Sequence, residues 1–339
     1  METEILEQND IQEEKKDKFK VFTEKLKKQS MRFFEKFKKH MKYNWQIYVL
    51  FLPALIWMIM FVFVPFISNV LMSFQDYSVS KGVFGSKFIG FKNYIDFFTM
   101  DGFLSLLGNT LLLNVLVLVI GFPAAILLAI MIYESKSKVI KGVAQTTTFL
   151  PFFISAVVVC NMTIEFLKAD TGMIINILAW FGVPRSNLLN NPAAFRWIYA
   201  IMELWQTIGY NSLIYLAALS AIDTSLYEAA SMDGAGKFRQ IFHVTLPGIA
   251  PTIIITLILK IGKLLSMGYE KVLLLQTIDN KPVSEIISTY VYNVSLSPQV
   301  GQPNYGMAAT IGLFDAVVAI VLVTIVNRIA KKVSDTQLW

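Results

Sequence analysis

Residues 227–247 read YEAASMDGAGKFRQIFHVTLP, a polar segment between two long apolar runs of a very hydrophobic chain. The part GAGKF resembles a phosphate-binding loop, but such a loop requires Gly, four residues and then Gly-Lys-Ser/Thr. Here Lys237 is followed by Phe238, and Ser231 occupies the position of the first glycine. The segment therefore needs an explanation other than nucleotide binding.

Composition places the chain among proteins that cross a membrane several times. Of its 339 residues, 55% are hydrophobic and only 16% are charged, whereas a soluble domain carries about 25% charged residues. Each helical crossing needs about 20 mostly apolar residues. We therefore predict an all-α polytopic membrane protein with six spanning helices, at about residues 47–74, 103–133, 142–167, 195–222, 247–268 and 306–329.

The basic residues predict the orientation. With the N-terminus inside, most of the 30 Lys and Arg residues fall in cytoplasmic segments, namely residues 1–46, 133–141, 223–246 and 328–339. An excess of Lys and Arg marks the cytoplasmic side of a membrane protein. Both termini are therefore expected in the cytoplasm, and the net charge of +6 reflects topology rather than nucleic-acid binding.

The chain is expected to have three parts: a basic segment of residues 1–45, a transmembrane domain of residues 46–330 with the loop 223–247, and a cytoplasmic tail of residues 331–339. In the first part, apolar side chains recur at helical spacing among lysines: Phe19, Phe22, Leu26, Phe33 and Phe37. Such a stripe suits a helix that lies on an anionic bilayer surface. A solvated charged tail explains the segment equally well.

Residues for metal or catalytic chemistry are scarce. The one cysteine, Cys160, lies in an apolar run, where it acts as a small apolar side chain. The two histidines, His40 and His243, are far apart in sequence. Because no spacing singles out a nucleophile with a base and an acid, we expect neither an enzyme nor a cofactor in this chain.

The polar segment predicts a helix, a bend and a second helix. Asp223 or Thr224 is suited to cap the first helix. Gly234 and Gly236 allow the chain to bend closely. A short helix over residues 237–244 then leads to the fifth span. An elbow of this kind can dock as a rigid unit into a groove on a soluble partner.

This elbow resembles the cytoplasmic signature of ABC importer permeases, which is Glu-Ala-Ala, three residues, Gly, nine residues, Ile, one residue and Leu-Pro. The chain matches it at Glu228-Ala229-Ala230, Gly234 and Leu246-Pro247, with Val244 in place of the isoleucine. The resemblance implies a coupling helix that fits a cleft in the ATPase subunit. It assigns this role to Glu228, Ala229, Ala230, Asp233, Gly234, Ala235 and Gly236.

Other segments are similar to the sugar permeases of this family, in particular to the branch for oligosaccharides derived from complex polysaccharides. They include FIGFKNYIDFF, FLPFFIS, HVTLPGIAPT and the terminal Leu338-Trp339. The resemblance implies a type I, maltose-permease-like architecture in the bacterial plasma membrane. It also implies a second permease as heterodimer partner, an ATPase dimer that binds ATP and Mg, an external solute-binding lipoprotein and an oligosaccharide substrate.

An oligosaccharide path should offer aromatic rings and polar groups within the membrane. The fourth and fifth predicted spans carry such groups, and in maltose-type relatives these regions contribute to the sugar site. The candidates are Glu203, Trp205, Gly209, Tyr210, Asn211, Lys263, Ser266 and Tyr269. The alternative is helix packing, in which Gly209 allows close approach and Asn211 bonds a neighbouring helix.

Two lysines of the fifth predicted span give information about the charge of the substrate. Lys260 and Lys263 are three residues apart and project from neighbouring faces of a helix. If one of them lines the path, with Lys263 as the named candidate, its ammonium attracts a carboxylate and the cargo is an acidic oligosaccharide. The alternative is that both snorkel to the membrane surface or pair with Glu203 or Glu270.

A competing hypothesis is an ion-coupled secondary transporter of a small polar solute. It predicts inverted repeats with broken helices. The sequence shows no such repeat, and this hypothesis leaves the elbow signature unexplained.

Overall fold

The computed structural model describes residue 31 and residues 43–265, 268–296 and 303–333. Most of the basic N-terminal segment, Ser266 and most of the C-terminal tail lie outside the described residues, so the predictions made for them stay predictions. The chain divides into two units, residues 1–68 and residues 69–339.

Helices make up nearly all of the regular structure. Their bounds are α1 Trp45–Met58, α2 Val64–Ser73, α3 Gly82–Gly85, α4 Lys92–Thr99, α5 Phe103–Glu134, α6 Lys138–Phe149, α7 Ala156–Phe166, α8 Met173–Trp180, α9 Pro192–Ser220, α10 Thr224–Met232, α11 Lys237–Gln240, α12 Leu246–Gly262, α13 Tyr269–Leu275, α14 Lys281–Ser284, α15 Ile287–Leu296 and α16 Tyr305–Val333. Two π turns, Ile59–Phe63 and Ile241–Thr245, and two 3₁₀ turns, Leu150–Phe153 and Leu188–Asn190, join some of them. The strands β1 Gln75–Asp76 and β2 Lys87–Phe88 form one antiparallel pair, a small departure from the all-α prediction.

The first unit contains the greater part of an apolar helix, and this part shows no buried face. α1 runs through the π turn Ile59–Phe63 into α2, which makes a continuous span of 29 residues, Trp45–Ser73. None of the residues of α1 or of the π turn is buried. A helix that is hydrophobic all round suits a lipid environment, as expected for the first predicted span.

The core of the second unit forms around the long helices α5 and α9, which pack along each other. Leu113 of α5 and Phe195 of α9 are buried in one cluster. Ala129 of α5 is buried with Tyr215 and Leu219 of α9 in another cluster. Small residues such as Ala129 let two helices approach closely. This pair of helices is the frame on which the candidate site is built.

The structure confirms the prediction of several apolar spans. Among the described residues, four helices are long and apolar enough to cross a membrane: Trp45–Ser73, Phe103–Glu134, Lys237–Gly262 and Tyr305–Lys332. The bent pair of α6 and α7 makes a fifth if it counts as one span. α9 has spanning length, at 29 residues, but it carries many polar side chains. The count of six therefore stays a prediction.

The predicted third span is wrong as a single straight helix. The segment of α6 with its 3₁₀ turn meets α7 at 98°. Pro151, which lacks a backbone N–H, lies in that turn, and Ile154 is extended with a ψ of 132°. Ser155 then caps α7, because its Oγ accepts the N–H of Val158 at 3.4 Å. The chain thus starts a new helix here instead of continuing the old one.

Candidate functional site

A cavity of about 210 Å³, called cavity A, is lined by residues of α5, α9 and α12. The residues that α9 contributes recur at helical spacing, at positions i, i+1, i+4, i+7 and i+8, and so share one helix face: Glu203, Leu204, Thr207, Tyr210 and Asn211. α5 contributes Asn114, the 3₁₀ turn contributes Phe152, and α12 contributes Lys260. Cavity A therefore combines apolar walls with a carboxylate, amides and an ammonium.

Lys260 places its ammonium in cavity A against a neutral partner. Its Nζ donates to Asn211 Oδ1 at 3.3 Å, and the residue is half-buried. Within the described ranges Lys260 takes part in no ion pair. Because an amide does not neutralise an ammonium, cavity A holds a positive charge that remains available to an anion.

A second cavity of about 280 Å³, called cavity B, shares Asn114, Val117 and Glu203 with cavity A. Lys271, from the start of α13, belongs to its lining. The Nζ of Lys271 donates to Glu203 Oε2, and both side chains are 16% exposed. The wall common to the two cavities is thus built around an ion pair.

Asn114 adds an unused donor to this common wall. The residue is only 3% exposed, and its Nδ2 has no hydrogen-bond acceptor among the described residues. Most buried polar groups in proteins are satisfied, because leaving one unpaired costs about 1–3 kcal/mol. As Asn114 lines both cavities, its amide is available to an oxygen atom of a ligand.

Aromatic rings form one side of cavity A. Phe152 and Tyr210 stack with ring centroids 4.0 Å apart and planes 4° from parallel. Phe149 and Phe153 pack next to them. Such rings present a broad apolar surface, which matches the C–H face of a sugar ring.

The predicted elbow is present as two helices joined by a glycine turn. Asp223 caps α10, since its Oδ1 accepts the N–H of Ser225 at 2.9 Å. Gly234 has a φ of +75°, a left-handed conformation that glycine adopts without steric cost. Gln240 Nε2 donates to Ser231 Oγ at 2.9 Å, which ties α11 back to the end of α10. The elbow is therefore held by specific contacts.

Most residues proposed for coupling lie on the surface of the elbow. Exposed ones are Glu228, Ala229, Asp233, Gly234 and Gly236, and half-buried ones are Ala230 and Ala235. Two large apolar side chains project beside them, Met232 at 88% exposure and Phe238 at 80%. A polar surface with two exposed apolar side chains is suited to contact another protein.

The prediction of a separate short helix over residues 237–244 is wrong. Instead, α11 continues through the π turn Ile241–Thr245 into α12, so that one helix runs over Lys237–Gly262. The π turn rearranges the hydrogen-bond ladder just before Pro247. Because the ladder is already rearranged there, the missing N–H of this proline does not end the helix.

Four of the predicted path residues meet at the two cavities. Glu203, Tyr210 and Asn211 line cavity A, and Tyr269 lines cavity B. Glu203 lines both. These residues come from α9 and α13, which lie more than 45 positions apart in sequence at their nearest ends.

The other predicted path residues lie elsewhere. Trp205 lines a separate apolar hollow between α7, α8 and α9. Gly209 is buried and packs against the backbone at the end of α6. Lys263 is exposed, follows the end of α12 at Gly262 and lines neither cavity; of the two lysines of this span, Lys260 lines cavity A. Ser266 lies outside the described residues.

The residues of the site that were not predicted include Asn114, Phe152 and Lys271. Asn114 lies inside an apolar stretch, and Phe152 lies beside the proline bend. Lys271 falls between the fifth and the sixth predicted spans, 68 residues from its partner Glu203. The one available signal was that an ionisable residue within a span, here Glu203, requires a partner.

A family model with the description "Binding-protein-dependent transport system inner membrane component" matches residues 121–335 of the chain. The match covers more than half of the chain and includes α9, the elbow and α12.

Individual proteins are similar over most of their length. The polygalacturonan/rhamnogalacturonan transport system permease protein YteP of Bacillus subtilis (strain 168) is 41% identical over 293 residues, which are 86% of this chain and 90% of that protein. A crystal structure of a bacterial alginate ABC transporter in complex with alginate pentasaccharide-bound periplasmic protein matches with a TM-score of 0.80 and 36% identity, over 88% of this chain and 99% of that chain. A crystal structure of a bacterial ABC transporter involved in the import of the acidic polysaccharide alginate matches with a TM-score of 0.79 and 36% identity, over 87% of this chain and 98% of that chain.

Proposed function

The chain belongs to the family of binding-protein-dependent transport system inner membrane components and is a permease of an ABC importer; we propose that its cargo is an oligosaccharide that carries carboxylate groups. The cargo is delivered by an external binding lipoprotein and passes through a path formed with a second permease. An ATPase dimer binds ATP and Mg and drives the passage. This chain itself holds no cofactor and catalyses no reaction.

The observation that supports an acidic cargo is the position of the Lys260 ammonium in cavity A. An ionisable residue in a spanning helix usually faces a cavity or a partner and marks a substrate path. Lys260 is bonded only to the neutral amide of Asn211 among the described residues. A lysine is a compact charge that holds a carboxylate without a fixed geometry, which suits a cargo that has to move on.

The named relatives support the same class of cargo. Polygalacturonan, rhamnogalacturonan and alginate are polymers that contain uronic acids, and proteins named for them share 36–41% of their residues with this chain. The uronic-acid units of these polymers carry a carboxylate on a ring that also has apolar C–H faces. The ammonium of Lys260 and the stacked rings of Phe152 and Tyr210 complement these two features.

The size of the cavities bears on how the cargo is held. Cavities A and B, at about 210 and 280 Å³, are each smaller than the ~300–1,000 Å³ typical of sites for drug-sized ligands. Each is suited to one sugar unit rather than a whole oligosaccharide. The rest of the path is expected from the second permease and from opening during the transport cycle.

The elbow is proposed to be the contact with the ATPase. It projects Met232 and Phe238 beside the exposed Glu228. Its side of the membrane is then the cytoplasmic side, in agreement with the orientation favoured by the basic residues. If α9 also crosses the membrane and the bent pair of α6 and α7 counts as one span, the chain crosses six times and both termini lie in the cytoplasm.

The test uses the complete transporter, with both permeases, the ATPase and the binding protein, in proteoliposomes. Trigalacturonate is compared with its methyl ester, which keeps the sugar chain but removes the charges. The binding protein is first assayed alone with both sugars, so that uptake is compared at equal loading. Wild type is expected to import the acid several-fold better than the ester.

Two lysine variants then locate the selectivity. Lys260→Gln should raise the KM for trigalacturonate by about tenfold or more, because a charge-assisted hydrogen bond contributes about 1.5–3 kcal/mol. Uptake of the ester should change little. Lys263→Gln is the matched control, since Lys263 is exposed and lines neither cavity. Equal uptake of acid and ester by wild type would refute the acidic cargo, as would a Lys260→Gln transporter with unchanged preference.

A further inference from the structure

The wall shared by cavities A and B contains one carboxylate, that of Glu203. Lys260 lines cavity A and Lys271 lines cavity B, so a lysine belongs to the cavity on each side of Glu203. The unpaired Nδ2 of Asn114 belongs to the same wall. A cargo carboxylate that moves between the cavities therefore passes a resident carboxylate, two ammonium groups and an unused donor.

The charges at this wall are unevenly compensated. Glu203 is paired with Lys271 and also acts electrostatically on Lys260, whose hydrogen bond goes to an amide, so that two ammonium groups share one carboxylate. Glu270 also lines cavity B, but it is exposed, and solvent screens exposed charges strongly. The half-buried groups at this wall thus leave one positive charge uncompensated, which is enough for one carboxylate at a time.

We propose that Glu203 is an exchangeable counter-ion which sets how fast an acidic cargo leaves the path. The cargo carboxylate takes the place of Glu203 on Lys271, with Asn114 Nδ2 as a further donor, while the Glu203 carboxylate turns to Lys260, which lines cavity A with it. Glu203 returns to Lys271 when the cargo moves on. Burying an unpaired charge is costly, and this exchange avoids it because each broken ion pair is replaced by another. This inference rests on the proposed acidic cargo.

The idea predicts an unusual effect of Glu203→Gln. The glutamine keeps the size of the side chain and an acceptor for Lys271, but it removes the competing charge. Both lysines are then left without a carboxylate, so trigalacturonate should bind more tightly and leave more slowly. We expect its KM and its maximal uptake rate both to fall, by about tenfold. Uptake of the uncharged methyl ester should stay close to wild type.

Two further variants separate this role from a purely structural one. Glu165→Gln is the matched control, because Glu165 forms an exposed ion pair with Lys168 and lines neither cavity. The double variant Glu203→Gln/Lys271→Gln removes both charges of the pair and restores a single uncompensated cation. It should therefore recover a KM and a maximal rate closer to wild type than Glu203→Gln alone.

The outcomes are distinguishable. If Glu203 merely ties α9 to α13, Glu203→Gln lowers uptake of the acid and the ester alike and lowers the thermal stability of the complex, and the double variant does not recover. That result overturns the inference, and so does a Glu203→Gln transporter with wild-type KM and rate. If wild type itself imports acid and ester equally, the proposed acidic cargo fails first. If wild type discriminates but Glu203→Gln has no effect, only the counter-ion role fails.

Discussion

Gly209 faces the carbonyl of Thr148 so closely that a Cβ on residue 209 would lie 2.1 Å from that oxygen. The contact joins α9 to the end of α6, beside cavity A. Of the two explanations for the polar and small residues of α9, helix packing accounts for Gly209 and the cavity accounts for its neighbours Tyr210 and Asn211.

Gly209→Ala is therefore expected to destabilise the permease. An added methyl group has to push helix backbone apart, and overpacking of this kind costs about 1–3 kcal/mol. The measurement is thermal unfolding of the purified complex. Gly108→Ala in α5 is the control, because a Cβ there meets no atom within 4 Å, and alanine favours a helix over glycine. Equal unfolding temperatures for the two variants would contradict the packing role.

The stacked rings predict a difference between two substitutions of Tyr210. Tyr210→Phe keeps the ring against Phe152 and should retain most of the uptake. Tyr210→Leu removes the aromatic face, which contributes about 0.5–1.5 kcal/mol in ring contacts. We expect kcat/KM for the oligosaccharide to fall roughly three- to tenfold. Wild-type kcat/KM in the leucine variant would show that the cargo does not contact this wall.

At the elbow, Gly234→Val is expected to abolish coupling. Gly234 has a positive φ of +75°, which a β-branched side chain rarely adopts, and the residue is exposed where the ATPase is proposed to dock. Uptake and transport-stimulated ATP hydrolysis should both be lost while the permease still inserts into the membrane. Gly90→Val is the matched control, since Gly90 also has a positive φ, of +62°, and no atom near an added Cβ, but lies between β2 and α4 and outside the elbow. A Gly234→Val transporter with normal coupling would exclude this role.

The cap of α10 gives a prediction with a pH dependence. The hydrogen bond from Ser225 holds the pKa of the Asp223 carboxyl below its ordinary value, which is about 3.9. A lowered folded-state pKa means that the stabilisation is complete above the ordinary pKa and is lost as pH falls through the folded one. Asp223→Ala should weaken coupling, whereas Asp223→Asn, also a good cap, should largely preserve it. The ratio of uptake to ATP hydrolysis checks this, and for wild type the cap should add no pH dependence between pH 5.5 and about 8.

Local patterns were sufficient to predict some elements. The spacing from Glu228 to Pro247 predicted the elbow, and the length of the apolar runs predicted the long spans. Both are properties of neighbouring residues, because helix periodicity and glycine turns depend on positions close in sequence. The Asp223 cap followed from the same local chemistry.

Which side chains line the two cavities depends on tertiary packing and could not be predicted from local patterns. Glu203 and Lys271 are 68 residues apart, and no local pattern pairs them. Lys260 and Lys263 differ by less than one helical turn, so their assignment depended on where α12 ends, and helix ends are the least certain feature of a sequence-based prediction. The bend at Pro151 was missed because spanning helices often tolerate proline.

The unbroken helix Lys237–Gly262 joins the elbow to cavity A, because Phe238 is at its beginning and Lys260 near its end. Its 26 residues extend over about 39 Å at 1.5 Å per residue. A tilt of about 10° at the elbow would displace the far end by about 7 Å, more than one helical turn. The helix can thus act as a lever arm: if the ATPase docks at the elbow as proposed, a small rotation there would become a large displacement of the ammonium that is proposed to hold the cargo.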